Sequence, residues 1–215
     1  MRAMSDTFRD RLAAALGAHD PQRVHQHGAR DAAVLIPVVG GAEPALVFTL
    51  RTETVPSHKG QISFPGGSID PADESPQAAA LREAHEEIAL DPGAVEVFGE
   101  LDTFPTYVSG YVVTPIVGWL ESLPELRPNP AEVARVLVVP LSDLTDEIRH
   151  DPGFEHGDRT FPTEAWVWED NVIWGVTARV LRGFLELLAA AGLVDAPAGD
   201  GMWSQLVAPR NEETG

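Results

Sequence analysis

Near the N-terminus, Phe8, Leu12, Ala15 and Leu16 recur at helical spacing within a charged segment and predict an amphipathic helix. The next two apolar stretches, AAVLIPVVGG (32–41) and PALVFTLR (44–51), are short and rich in β-branched residues. Joined by a Gly-rich turn, they predict a hairpin with one or two buried faces. A polar loop, TETVPSHKG, leads into QISF and a turn at Gly66 and Gly67. Ser75 suits an N-cap and Pro76 the first helical position, and Leu81, Ala84 and Ile88 give that helix an apolar face ending near residue 89. VEVFGELDTF and YVVTPIVGWL read as strands separated by the turn PTYVSG, and NPAEVARVLVVPL as a turn followed by a strand. SDLTDEI predicts a capped helical turn, and the alternation in EAWVWED predicts a strand. Residues 172–193, VIWGVTARVLRGFLELLAAAGL, form the longest helical pattern, with Val176, Val180, Leu181, Phe184, Leu187 and Leu188 set for core packing.

These elements make one α+β domain over residues 1–194, with a helix on either side of a mostly antiparallel or mixed sheet. Residues 195–215 mix Pro, Gly and acidic side chains and are expected to form a flexible tail, with Met202 and Trp203 able to dock. No internal repeat interrupts the pattern.

Charge narrows the function. The 215 residues carry 33 acidic against 15 basic side chains, a formal charge of −18, which works against binding nucleic acid or an anionic membrane. Any anionic substrate needs metal ions or a few placed cations. The absence of cysteine excludes disulfides, thiolate metal sites and a cysteine nucleophile. There is no run of 18 apolar residues and no signal-peptide h-region, so the cytoplasm is the expected compartment, with Met1 or Met4 as the start.

Against this background ALREAHEEIAL (80–90) sets Glu83, Glu86 and Glu87 within one helical arc, beside the apolar face. Like charges at this spacing repel by a few tenths of a kcal/mol per pair, ~0.2–0.5. In so acidic a chain they can be a solvated surface; the alternative is a divalent cation that turns repulsion into ligation. Carboxylates on a rigid helix, with a carbonyl from the preceding Gly turn, form an all-oxygen set suited to Mg²⁺ or Mn²⁺. Zinc fits less well, and His85 reads as a surface residue.

GGSIDPADESPQAAALREAHEEIAL resembles the Nudix box, the loop–helix motif of hydrolases acting on nucleoside diphosphates linked to another group. Glu74, Arg82, Glu83, Glu86, Glu87 and Leu90 match its pattern. Ser68 stands at the first glycine position, Ala84 at a larger aliphatic and Ala89 at the second glycine, where a positive φ would cost about 1–2 kcal/mol. The preceding segment, FTLRTETVPSHKGQISFPGG, is similar to that of the coenzyme A diphosphatase branch through Arg51, Gly60, Phe64, Pro65, Gly66 and Gly67. SGYVVTPIVG, NPAEVARVLVVPL and IWGVTARVL extend the likeness over residues 30–190. Pro56 stands where the branch usually has a second basic residue, a charge that His58 or Lys59 could supply.

The resemblance implies a Nudix-type α/β/α sandwich and metal-dependent hydrolysis of coenzyme A or its thioesters to 4′-phosphopantetheine and adenosine 3′,5′-bisphosphate. Its alternatives are another nucleoside diphosphate derivative, such as ADP-ribose or an oxidised nucleotide, or a non-catalytic nucleotide sensor. The implied metal ligands are Glu83, Glu86, Glu87 and the Gly67 carbonyl, holding Mg²⁺ or Mn²⁺. Either Glu86 or Glu132 is the general base, and Arg82 orients the box helix by pairing with a box carboxylate. Arg51, Lys59 and Arg159 are candidates for the substrate's anionic groups, and Arg159 reads better as a surface charge. Ser109 either bonds substrate or stabilises its turn; Trp166, Trp168 and Trp174 either stack adenine or fill the core. The expected partner is the substrate itself, with a homodimer allowed and neither nucleic acid nor membrane.

Overall fold

The computed structural model describes residues 7–52, 60–106, 109–150, 154–156, 159–161 and 164–197. The expected N-terminal helix is α1 (Phe8–Ala18), capped by the Thr7 side chain on the Asp10 amide. Strands β1 (Arg30–Val39) and β2 (Ala45–Arg51) form the predicted hairpin, paired only beside their turn, at Val38–Leu46 and Val39–Ala45. Beyond it β2 leaves β1 for β3 (Ile62–Ser63), while its other edge pairs antiparallel with a later strand throughout, and β4 (Gly66–Ser68) takes its place on β1.

Helix α2 (Pro76–Ile88) starts at Ser75, whose hydroxyl accepts from the Ala78 amide, with Pro76 in the first turn as expected. Strands β5 (Glu96–Glu100), β6 (Phe104–Pro105), β7 (Tyr111–Leu120) and β8 (Val133–Pro140) complete an eight-stranded mixed sheet. At its centre β1 and β7 run parallel from Arg30–Tyr111 to Val39–Leu120. Covered on both faces, they carry nearly unbroken apolar runs rather than alternation.

The sequence pattern fails at two places. SDLTDEI forms two 3₁₀ turns, Leu141–Asp143 and Asp146–Ile148, neither with a side-chain cap bond. The long helical pattern splits: Asn171–Trp174 is a strand, paired with Ala165–Trp168, and the helix begins only at Gly175. Gly175 has φ +67°, a turn that glycine makes without a Cβ penalty and that separates the two elements. The strands β9 (Arg149–His150), β10 (Phe154–His156), β11 (Arg159–Phe161), β12 (Ala165–Trp168) and β13 (Asn171–Trp174) form two small sheets before α3 (Gly175–Ala190).

Two apolar clusters flank the main sheet. One, beneath α1 and α3, contains Leu12, Ile36, Phe48, Val117, Trp119 and Phe184; the other, beneath α2, contains Ala33, Leu35, Val47, Ala80, Ala84 and Ile88. This is an α/β/α sandwich. Leu193 and Val194 pack on the first cluster, and the expected tail is described only through Pro197. Among the described residues no helix is long and apolar enough to cross a membrane.

Candidate active site

Helix α2 rests on the sheet through a stripe of small residues. Ala80 and Ala84 are buried against it, and Glu87, seven positions beyond Ala80, falls about 20° from Ala80 around the helix. Glu87 is therefore on the buried face and not beside it, as the spacing of the three glutamates had suggested; it is 1% exposed. Its two oxygens are held from different elements: Oε2 accepts from the Gly66 amide at 3.3 Å, and Oε1 from Arg51 Nη1 at 3.2 Å. Burial, which outweighs both contacts, pushes the carboxyl up to about 7, and Glu83 and Glu132 add repulsion.

Glu83 lies one turn back, against Gly67. A Cβ built on that glycine would stand 2.6 Å from the Glu83 carboxylate, so only glycine lets backbone and carboxylate approach this closely. Burial raises Glu83 as well; Arg82 opposes the shift, and Glu86 and Glu132 add to it. Glu132 thus acts on buried Glu87 and half-buried Glu83 from a separate loop, held by its amide on the Asn129 carbonyl and its carbonyl on the Thr52 amide. Glu86 is exposed.

Arg82 ties the loop to the helix. Nε and Nη2 donate to the two oxygens of Asp73 at 3.0 and 2.9 Å, Nη1 to Glu83 at 2.9 Å and Glu86 at 3.3 Å, and Nη2 also to the Ser68 carbonyl at 3.2 Å. Asp73 is the bidentate partner, and its carboxyl is held below the ordinary range mainly by that bond. Glu74, the residue that matches the motif by count, is exposed. Sequence spacing missed Asp73 because the loop carries one extra residue; the acidic run DPADE was the available signal.

The remaining candidates separate. Arg51 is in the site, with Nε buried and, among the described residues, without a hydrogen-bond partner. Lys59, His58 and Pro56 lie outside the described residues, and Arg159 sits in β11. Ser109 donates to the Thr106 hydroxyl at 2.8 Å, which in turn accepts the Tyr111 amide, so the turn uses its hydroxyl. Trp166 fills the core and Trp168 Nε1 donates to Asp143, while Trp174 is partly exposed. His85 is exposed, as expected.

A family model described as NUDIX domain matches residues 29–161, well over half of the chain. The chain belongs to the Nudix family. It is similar to the uncharacterized Nudix hydrolase NudL of Photorhabdus laumondii, 40% identical over 163 residues that cover 75% of this chain and 86% of that one. NudL of Escherichia coli strain K12 is 41% identical over 155 residues, 71% of this chain and 80% of its own. Two solved structures share the fold. A MutT/nudix family protein from Enterococcus faecalis matches with TM-score 0.53 at 11% identity, over 86% of this chain and 70% of that one. A NUDIX hydrolase from Nitrosomonas europaea matches with TM-score 0.51 at 16% identity, over 86% and 81%.

The protein is thus a Nudix hydrolase, and its chemistry is cleavage of the diphosphate bond in a nucleoside diphosphate derivative. Nudix enzymes generally work with divalent metal ions. Among the described residues no three acidic or histidine side chains form a ready-made cation cage. Instead, Arg82 and Arg51 neutralise the carboxylates. The residues nevertheless fit a dication: the donors are all oxygen, Gly67 lies against Glu83, and desolvation raises Glu83 and Glu87 despite their arginine partners.

Proposed function

We propose that this Nudix hydrolase cleaves coenzyme A or its thioesters to 4′-phosphopantetheine and adenosine 3′,5′-bisphosphate. The supporting observation is the contact between the upstream motif and the box. Arg51 from the first and Gly66 from FPGG grip the same buried carboxylate, Glu87, so the features particular to the coenzyme A branch and those common to the family form one site.

Glu83, Glu86, Glu87 and the Gly67 carbonyl would hold Mg²⁺ or Mn²⁺. The chemistry such an ion supplies is charge neutralisation on the phosphoryl oxygens and activation of water. Arg51 has a buried Nε–H without an acceptor among the described residues and is the residue assigned to a substrate phosphate. The base takes a proton from water as its oxygen bonds to phosphorus; the bridging P–O bond breaks and its electrons leave with the second phosphate. Glu86 and Glu132 are the candidates, and Glu132 is better supported because its charge acts on both Glu83 and Glu87. Arg82, fixed by Asp73, orients Glu83 and Glu86.

The test offers coenzyme A, ADP-ribose and a nucleoside triphosphate with Mg²⁺ or Mn²⁺, identifying products by mass. Adenosine 3′,5′-bisphosphate from coenzyme A is the expected result. Preferential cleavage of ADP-ribose would overturn the substrate and keep the chemistry; binding without cleavage would move the protein to a sensing role.

A further inference from the structure

The face of the sheet opposite α2 carries a second polar group at the same end. Arg30 opens β1 and Tyr111 opens β7, and the parallel register pairs them directly. The Arg30 guanidinium lies 4.3 Å from the centroid of the Tyr111 ring. Tyr111 Oη is 3.2 Å from Ser68 Oγ, and the Ser68 carbonyl accepts from Arg82 Nη2. An unbroken series of contacts thus joins Arg30 to the arginine that holds Glu83 and Glu86.

Arg30 is exposed, and among the described residues no carboxylate lies within ion-pair distance of it, in a chain of net charge −18. It sits over the tyrosine ring, while its charge has no acidic partner among the described residues. Ala33 pairs with Gly67, and Arg30 stands three residues earlier, about 10 Å along the strand from the glutamates' end of β4. That is the reach of one nucleoside from a diphosphate seated at Gly67. The guanidinium already covers a face of the ring, which favours an anionic group over a stacked base, and its fork of N–H donors suits a phosphate.

We propose that Arg30, oriented by Tyr111 and Ser68, is a specificity residue that receives the 3′-phosphomonoester of coenzyme A. The inference rests on the coenzyme A reading above. It explains how the site would separate coenzyme A from relatives that share only the diphosphate and the adenosine.

Two measurements test it. The first compares KM for coenzyme A and for dephospho-coenzyme A, which lacks the 3′-phosphate, in the wild type, Arg30→Ala, Arg30→Lys and Tyr111→Phe, with thermal melts as a folding control. The wild type should favour coenzyme A by at least about tenfold in KM, the scale of one charge-assisted hydrogen-bond pair. Arg30→Ala should bring the ratio close to one, and Arg30→Lys should recover part of it. Tyr111→Phe should lower the ratio by a smaller factor. A ratio unchanged in Arg30→Ala overturns the proposal, as does a wild type indifferent to the 3′-phosphate. The second measurement is calorimetric binding of adenosine 3′,5′-bisphosphate and of AMP, which requires no turnover. Tighter binding of the bisphosphate that is lost in Arg30→Ala supports the assignment even if coenzyme A is not cleaved, an outcome that would sink only the substrate reading. Equal binding of the two nucleotides overturns it.

Discussion

Glu87 concentrates the conflict between folding and catalysis in one side chain. Burial beneath α2 lifts its carboxyl from 4.5 to about 7, so the folded metal-free protein retains a proton that the unfolded chain has released. The stabilisation this confers is fully present below about pH 4.5 and is lost as pH rises through about 7. Metal-free protein should therefore show a melting temperature that falls between these values, and Glu87→Gln should flatten the slope and raise stability at pH 8. A wild-type slope that survives the substitution would assign it to other groups. The same variant should abolish turnover with added metal, because an amide supplies no negative charge; near-normal activity would remove Glu87 from the ligand set. Asp73 acts through Arg82. Asp73→Asn should lower kcat by about tenfold or more, on the order of 1.4 kcal/mol, whereas Glu74→Gln should leave it near the wild-type value. Equal effects of the two substitutions would contradict the bidentate pair.

At the scale of elements, the box helix begins and ends on local signals. Ser75 and Pro76 start it as their chemistry requires. Its end is less ordinary: Ala89 adopts φ +54°, and its amide bonds back to the Ala84 and His85 carbonyls. The motif's expected glycine turn therefore persists with a residue that strains it. Ala89→Gly should stabilise the protein by roughly 1 kcal/mol, read from the urea midpoint, since relief of the αL cost exceeds glycine's entropic penalty. An unchanged midpoint would mean that the turn bears no strain. In the loop before the helix the requirement is reversed. Gly67→Ala would drive a methyl group against the Glu83 carboxylate, which can swing away at little cost to the fold. Activity should fall at least tenfold, about 1.4 kcal/mol, while the melting temperature changes little; retained activity would separate Glu83 from the chemistry.

Across the whole molecule, the central parallel pair β1 and β7 bring together segments some 80 residues apart, and β4 inserts beside β1 where β2 departs. This arrangement seats Gly66 and Gly67 under α2 and leaves Arg51, at the end of β2, facing Glu87. Excess chelator should remove turnover while the sandwich remains folded, because its two apolar clusters need no ion. Undiminished turnover in chelator would defeat the metal-dependent reading.

Local physics was legible in the chain itself. Helical periodicity marked α1 and α2, Ser75 and Pro76 marked the start of α2, the β-branched runs marked β1, β2 and β7, and the spacing of Arg82, Glu83, Glu86 and Glu87 marked the chemistry. These depend on neighbours within a turn or two, which sequence order records. The start of α3 was misread because Val172, Ile173 and Trp174 are apolar in either period, and pairing with β12 chose the strand. Tertiary structure alone decided that Glu87 is buried and raised, that Asp73 and not Glu74 holds Arg82, and that Arg30 and Tyr111 meet. The first and last depend on segments far apart in the chain, brought together by sheet register and desolvation; Asp73 and Arg82 are only nine residues apart, and there the path of the connecting loop decides which acid meets the arginine.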